Sequence, residues 1–141
     1  MDARRVPDLE KMDEQAATRL LNELASALSP EAEYRIRHPE DYLMEMPQSG
    51  ERFRGREKVR AFQESFTEHS APPKIRIRRV LVGEGSWVVE SVVDYGEGRV
   101  MHGVAILELK DGRVWRDRRY FAEPFEAPEW RAQLVERMEE T

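Results

Sequence analysis

Cysteine is missing from all 141 residues, which removes disulfides, thiol nucleophiles and cysteine-ligated zinc from consideration. Long apolar runs are missing as well. No stretch approaches the ~20 apolar residues of a membrane-spanning helix, so no membrane partner is expected. The opening MDARRVPDLEKMDEQ has no apolar segment behind its arginines, so no secretory signal is expected and the cytoplasm is the expected compartment. Histidine is scarce: His38, His69 and His102 lack the spacing of metal ligands, and no metal is expected. There is no phosphate loop, dinucleotide fingerprint or nucleophile elbow, and no cofactor is expected. An excess of positive charge is also lacking. The 23 basic residues face 28 acidic ones for a net charge of −5, which argues against nucleic acid as a partner. The basic run KIRIRR alternates Ile75 and Ile77 against Lys74, Arg76 and Arg78 without interleaved exposed aromatics. It reads as a solvated strand or the rim of a dimer.

What the chain does have is 36% charged and 40% hydrophobic residues in periodic order, the mark of a folded domain. One domain spanning 1–141 is expected. Leu9, Met12, Ala16, Leu20, Leu24 and Leu28 predict an amphipathic helix over 8–28 with Asp8 as its N-cap. SPEAEYRIRHP predicts a second helix, opened by Ser29 and Pro30 and ended at His38-Pro39. DYLMEMP alternates as a short strand with Tyr42, Met44 and Met46 on one face, and QSGERFRG turns the chain. REKVRAFQESFTEH predicts a third helix, with Val59, Phe62 and Phe66 on one stripe.

Four strands follow, KIRIRRVLV, SWVVESVVDY, RVMHGVAILEL and RVWRDRRYFAE, joined by the short turns GEG, GEG and KDG as antiparallel neighbours. APEWRAQLVERM closes the chain as a helix with Trp130, Leu134 and Met138 on one stripe. Helices before a run of antiparallel strands predict an α+β domain. In the middle strands Trp87, Val89 and Val93 oppose Val88 and Val92, and Met101, Ala105 and Leu107 oppose Val100, Val104 and Ile106. Both sheet faces are apolar. One takes the helices, and a second copy is the simplest cover for the other, so a homodimer through the outer sheet face is expected. His102 falls on that outer face as an interface residue.

This order of elements, with DYLMEMPQSGERFRGREKVRAF and ILELKDGRVWRDRRYFAEPFEAPEWR, resembles the SnoaL-like branch of the nuclear transport factor 2-like superfamily across about residues 8–125. The resemblance implies a cone-shaped half-barrel. N-terminal helices pack on a curved, mainly antiparallel sheet, a C-terminal helix follows, and a pocket opens in the mouth. It also implies that alternate residues of the last strand line that pocket. In WRDRRYF this puts Trp115, Asp117, Arg119 and Phe121 inward, and Arg116, Arg118 and Tyr120 outward. Alternation gives the same grouping, and the bulky Trp115 and Phe121 favour the same side for the core.

The superfamily's known chemistries do not carry over residue by residue. Where ketosteroid isomerases need a carboxylate base and an acid donor, this chain has Met46 and Ala105; a one-residue shift of the first strand would instead turn Glu45 inward. Where limonene-epoxide hydrolases hold an Arg and two Asp, it has Ser91, Val93 and Arg119. What remains is Asp117 and Arg119, about 7 Å apart on one face. The expected apolar cup around them is Tyr42, Met44, Met46, Phe62, Trp87, Val89, Met101, Trp115 and Phe121. Two functions fit. One is a cofactor-independent isomerase, lyase or hydrolase of a small apolar or aromatic substrate, with Asp117 moving a proton and Arg119 placing an oxygen. The other is a non-catalytic ligand-binding or dimerisation domain in which the pair is a buried salt bridge.

Overall fold

The computed structural model describes residues 7–27, 39–69 and 73–138. The helix expected over 29–38, with His38, and the side chains of Phe66 and His69 lie outside the described residues. The N-terminal apolar stripe does not form one helix. Asp8 accepts the Glu10 N–H at 3.1 Å and opens a 3-10 turn, Leu9–Lys11. Asp13 then accepts the Ala16 N–H at 2.8 Å and opens a separate helix, α1, Glu14–Ala27. Two carboxylate caps therefore start two helices where the sequence pattern suggested one.

The 3-10 turn seals the narrow end of the sheet. Leu9 is buried in the core, its N–H bonds the Gly112 carbonyl at 2.9 Å, and the Gly112 N–H donates to Glu10 at 3.0 Å. A Cβ at Gly112 would stand 2.6 Å from Asp8 Oδ1 and 3.3 Å from Asp8 Cα. Only glycine suits this position, where φ is also +75°.

Strand β1, Leu43–Met46, turns back through 47–50 into β2, Glu51–Arg54, with Leu43 opposite Arg54. The expectation that QSGERFRG merely turns the chain is thus corrected. ERFR is an edge strand whose charges reach solvent and whose Phe53, opposite Met44, packs against Phe62 with ring centroids 4.6 Å apart. Helix α2, Arg56–His69, lies behind this hairpin and buries Val59.

Strands β3, Lys74–Gly83, β4, Ser86–Asp94, β5, Val100–Lys110, and β6, Arg113–Ala122, follow as antiparallel neighbours. The sheet order is β2-β1-β6-β5-β4-β3, with β1 parallel to β6, so the six-stranded sheet is unclosed. Bulges at Ile77/Arg79 and Glu108/Leu109 bend it. Edge strand β3 is capped by α1. Glu14, Thr18 and Asn22, one helical turn apart, accept the N–H groups of Val82, Val80 and Ile77 at 3.3, 3.1 and 2.9 Å.

The C-terminal helix departs from expectation in type and in packing. It is a 3-10 segment, Glu129–Leu134. Pro128 enters it extended and without a side-chain cap, and Trp130, Leu134 and Met138 are 78, 82 and 81% exposed. With three residues per turn over 129–134 and no helix over 135–138, the three do not share one helical face, and they stand exposed.

Candidate functional site

The register arranges the inner sheet face in rows. Val82, Trp87, Leu107 and Asp117 form one row across β3 to β6, and Met44 of β1 stands beside Asp117. Val80, Val89, Ala105 and Arg119 form the next, then Ile77, Ser91, Gly103 and Phe121, then Ile75, Val93 and Met101. These rows run from the end closed by Leu9 toward the opposite end, at Ile75, Val93 and Met101. Gly103 is confined between neighbours, since a Cβ there would stand 2.6 Å from Ser91 Oγ with the Phe121 ring at 3.8 Å.

Asp117 is only 1% exposed, the one charged side chain among the buried described residues. Three donors converge on its Oδ2: the Tyr42 hydroxyl at 2.8 Å, Arg119 Nε at 3.0 Å and Arg119 Nη2 at 2.8 Å. Tyr42 comes from just before β1, so its bond depends on the parallel β1–β6 pairing. Charge-assisted bonds of this kind hold the carboxylate in place and stabilise its charge. Arg119, with 23% of its side chain exposed, stands one row further along and turns its guanidinium back onto Asp117.

Trp87 lies in the same row as Asp117. It is buried, and its Nε1 has no hydrogen-bond partner among the described residues. Met44 and Val89 are buried, whereas Met46, Phe62, Met101 and Phe121 are half-buried. The Gln48 side chain clamps Phe121 by accepting its N–H and donating to its carbonyl. Trp115 stands apart from Arg119, toward the β5–β6 turn. It is half-buried, with the cations of Lys110 and Arg116 over its ring at 5.3 and 4.8 Å.

Glu45 faces the outer side, where it bonds Arg52 at 2.8 Å and Arg118 at 3.1 Å. Those two bonds, Arg52 first, hold its carboxyl below its ordinary 4.5. Met46 then falls on the Tyr42–Met44 side. Sequence reasoning missed two features. Tyr42 is an anchor for Asp117 as well as an apolar wall. Tyr95, one step beyond Val93 in the same alternation, has its hydroxyl pKa raised by burial, with Arg99 and Arg119 pulling against that shift.

A hollow of about 260 Å³ lies elsewhere, on the surface at Pro39, Asp41, Lys110, Asp111 and Arg113, with a smaller one at Glu40, Gly55, Arg56 and Glu57. Both are shallow, and none of the inner-row residues lines either of them. Among the described residues no group of three or more His, Asp or Glu could hold a metal ion, and no helix is long and apolar enough to cross a membrane.

Residues 10–117 match the SnoaL-like domain, and the chain belongs to that family. Among solved structures it is similar to an NTF-2-like protein of unknown function from Burkholderia xenovorans LB400. That protein is 32% identical over 89% of this chain and 98% of its own, with a TM-score of 0.74. The chain is also similar to a proposed ketosteroid isomerase from Kribbella flavida DSM 17836, 27% identical over 91% of this chain and 93% of that one, with a TM-score of 0.70. A protein of ketosteroid isomerase-like fold from Catenulispora acidiphila DSM 44928, solved with trimethylamine, shares the fold at 12% identity. The match covers 73% of this chain and 85% of that one, with a TM-score of 0.60. No curated protein matched the chain.

Proposed function

We propose that the inner face binds a small, mostly apolar or aromatic molecule, with the Arg119 guanidinium as its polar handle and Asp117 as an anchor rather than a proton carrier. The observation that carries this reading is the convergence of three donors on Asp117 Oδ2. A base or acid must be free to change its protonation state. A carboxylate holding Arg119 through two bonds and Tyr42 through a third is spent on orientation. Arg119, part-exposed and with its guanidinium held by Asp117 through Nε and Nη2, then offers a positioned cation to a carbonyl, carboxylate or phenolate oxygen. Two relatives, one described as a proposed ketosteroid isomerase and one solved with trimethylamine, are compatible with small-molecule binding in this fold.

The outer face supports a second element of the proposal, a homodimer. Leu81, Val104, Ile106 and Tyr120 all stand partly bare on one side of the sheet, with Val88 and Val92 half-buried among them. A second copy presenting the same face would cover them.

The test is a thermal-shift panel of small aromatic and aliphatic carbonyl and carboxylate compounds on wild type, Arg119→Lys and Asp117→Asn. Lysine keeps a counter-charge for Asp117 but removes the guanidinium. At least one compound should stabilise wild type and bind Arg119→Lys about tenfold or more weakly. A panel that shifts neither protein, or both equally, overturns the binding reading. Turnover of a bound compound that Asp117→Asn abolishes without loss of affinity would restore the enzyme.

A further inference from the structure

Beyond β6 the chain leaves the domain with its largest apolar side chains bare: Phe125, Trp130, Leu134 and Met138 are 78–82% exposed. Such a cluster on one short segment is unfavourable unless something covers it. The segment also lies past residue 117, where the family match ends. Its own domain does not cover it in the structure. Its sixteen described residues, 123–138, span up to about 50 Å when extended, far more than the width of the domain's sheet.

Charge indicates where the segment goes. It carries Glu123, Glu126, Glu129 and Glu136 against Arg131 and Arg137, a net negative balance. Strand β3, at the far edge of the sheet, carries Lys74, Arg76, Arg78 and Arg79 with no acidic residue, Arg79 already holding Glu14 of α1 at 3.4 Å. Arg76, Arg79 and Leu81 share its outer side, opposite Val92, Glu90 and Val88 of β4. This strip is apolar, basic and partly bare, while the segment is apolar, acidic and bare.

We propose that residues 123–138 form an exchanged arm that crosses to a second copy of this chain and lies on the β3 side of that copy's outer sheet face. The anchors Trp130 and Leu134 cover the ground around Leu81 and Val88, and the glutamates stand beside Arg76. By symmetry each copy gives one arm and receives one, so the arms close the dimer. The inference rests on the second-copy reading of the outer face made above.

The absence of cysteine makes the test direct, because any introduced thiol is the only one in its chain. Gln133→Cys in the arm and Glu90→Cys on β4 are both exposed positions. Full-length chains carrying one each, one of them tagged for size, are mixed and treated with a short bismaleimide. A cross-linked heterodimer is expected. Linkage only within a Gln133→Cys/Glu90→Cys double variant, or no linkage at all, overturns the arm.

Sedimentation equilibrium supplies an independent reading. Trp130→Ser/Leu134→Ser in the full chain should weaken the dimer by about tenfold or more while the unfolding midpoint of the dilute monomer stays put. Ile106→Glu should abolish the dimer. If Ile106→Glu does so and the arm variant leaves dimerisation unchanged, the arm is wrong and the sheet dimer stands. A wild type that is monomeric at high micromolar concentration removes both.

Discussion

The side-chain amide of Asn22 closes a ring on the backbone of Ile77, accepting its N–H at 2.9 Å and donating to its carbonyl at 3.1 Å. This places a helix side chain where a neighbouring strand would otherwise pair, beside the bulge at Ile77/Arg79. With Thr18 and Glu14 it converts an open sheet edge into a helix-covered one. Asn22→Leu should cost about 1–3 kcal/mol, because two part-buried backbone groups lose their partners. Urea unfolding measures the cost, and light scattering near the midpoint should show more aggregation than in wild type.

The Asp117–Arg119 pair should respond asymmetrically. Arg119→Met leaves a carboxylate 1% exposed without its cation and should cost about 3–5 kcal/mol. Asp117→Asn keeps an acceptor for Tyr42 and leaves an arginine that can turn to solvent, so about 1–3 kcal/mol is expected. Equal costs in denaturant titrations would mean that the pair is solvated and that the anchor reading is wrong.

Glu45 should carry an acid-dependent share of stability. Its folded pKa is depressed below 4.5 by Arg52 and Arg118, so the unfolded chain binds its proton more readily. The stabilisation is therefore fully present above about 4.5 and is lost as pH falls through the lower, folded value. Wild type should exceed Glu45→Gln in stability at pH 7, and the gap should close on acidification below 4.5. A gap that is independent of pH contradicts the ion-pair assignment.

Gly112 and Gly98 form a matched pair for backbone substitution. Both have positive φ, +75° and +78°, but a Cβ at Gly112 strikes Asp8, whereas none of the described atoms lies within 4 Å of one at Gly98. Gly98→Ala should cost about 1 kcal/mol for the left-handed conformation alone. Gly112→Ala should cost more, because the obstructing Asp8 atoms include backbone and the 3-10 turn must move. Thermal unfolding of the two variants gives the difference.

Much of this was legible in the chain, for identifiable reasons. Proline and glycine punctuate β3 to β6 and α2 so plainly that their ends follow from the turns. Alternation in WRDRRYF separates Asp117 and Arg119 from Arg116 and Arg118 without any structure. ERFR was lost because three of its four side chains are charged, and an edge strand with a polar face has no period to see. Asp13 was hidden by the apolar stripe running past it, which conceals that the helix restarts there. The bond from Tyr42 to Asp117 joins residues 75 positions apart through a parallel pairing, and nothing local encodes it. The Trp130–Leu134–Met138 spacing suggested a helical stripe, but the segment forms only a 3-10 turn and the three side chains stay exposed, because helical spacing does not report whether a surface is there to receive it.

The single parallel seam, β1 beside β6, has a consequence for the order in which the protein is made. Synthesis runs from the N-terminus, so Tyr42 and β1 emerge long before the strand that completes them. Until residues 116–118 leave the ribosome, the β1–β2 hairpin has one unsatisfied flank and the centre of the sheet does not exist. Asp117 is therefore buried at the closing step, when β6 slots between two elements already waiting for it. A substitution that weakens its three bonds acts on that last joint.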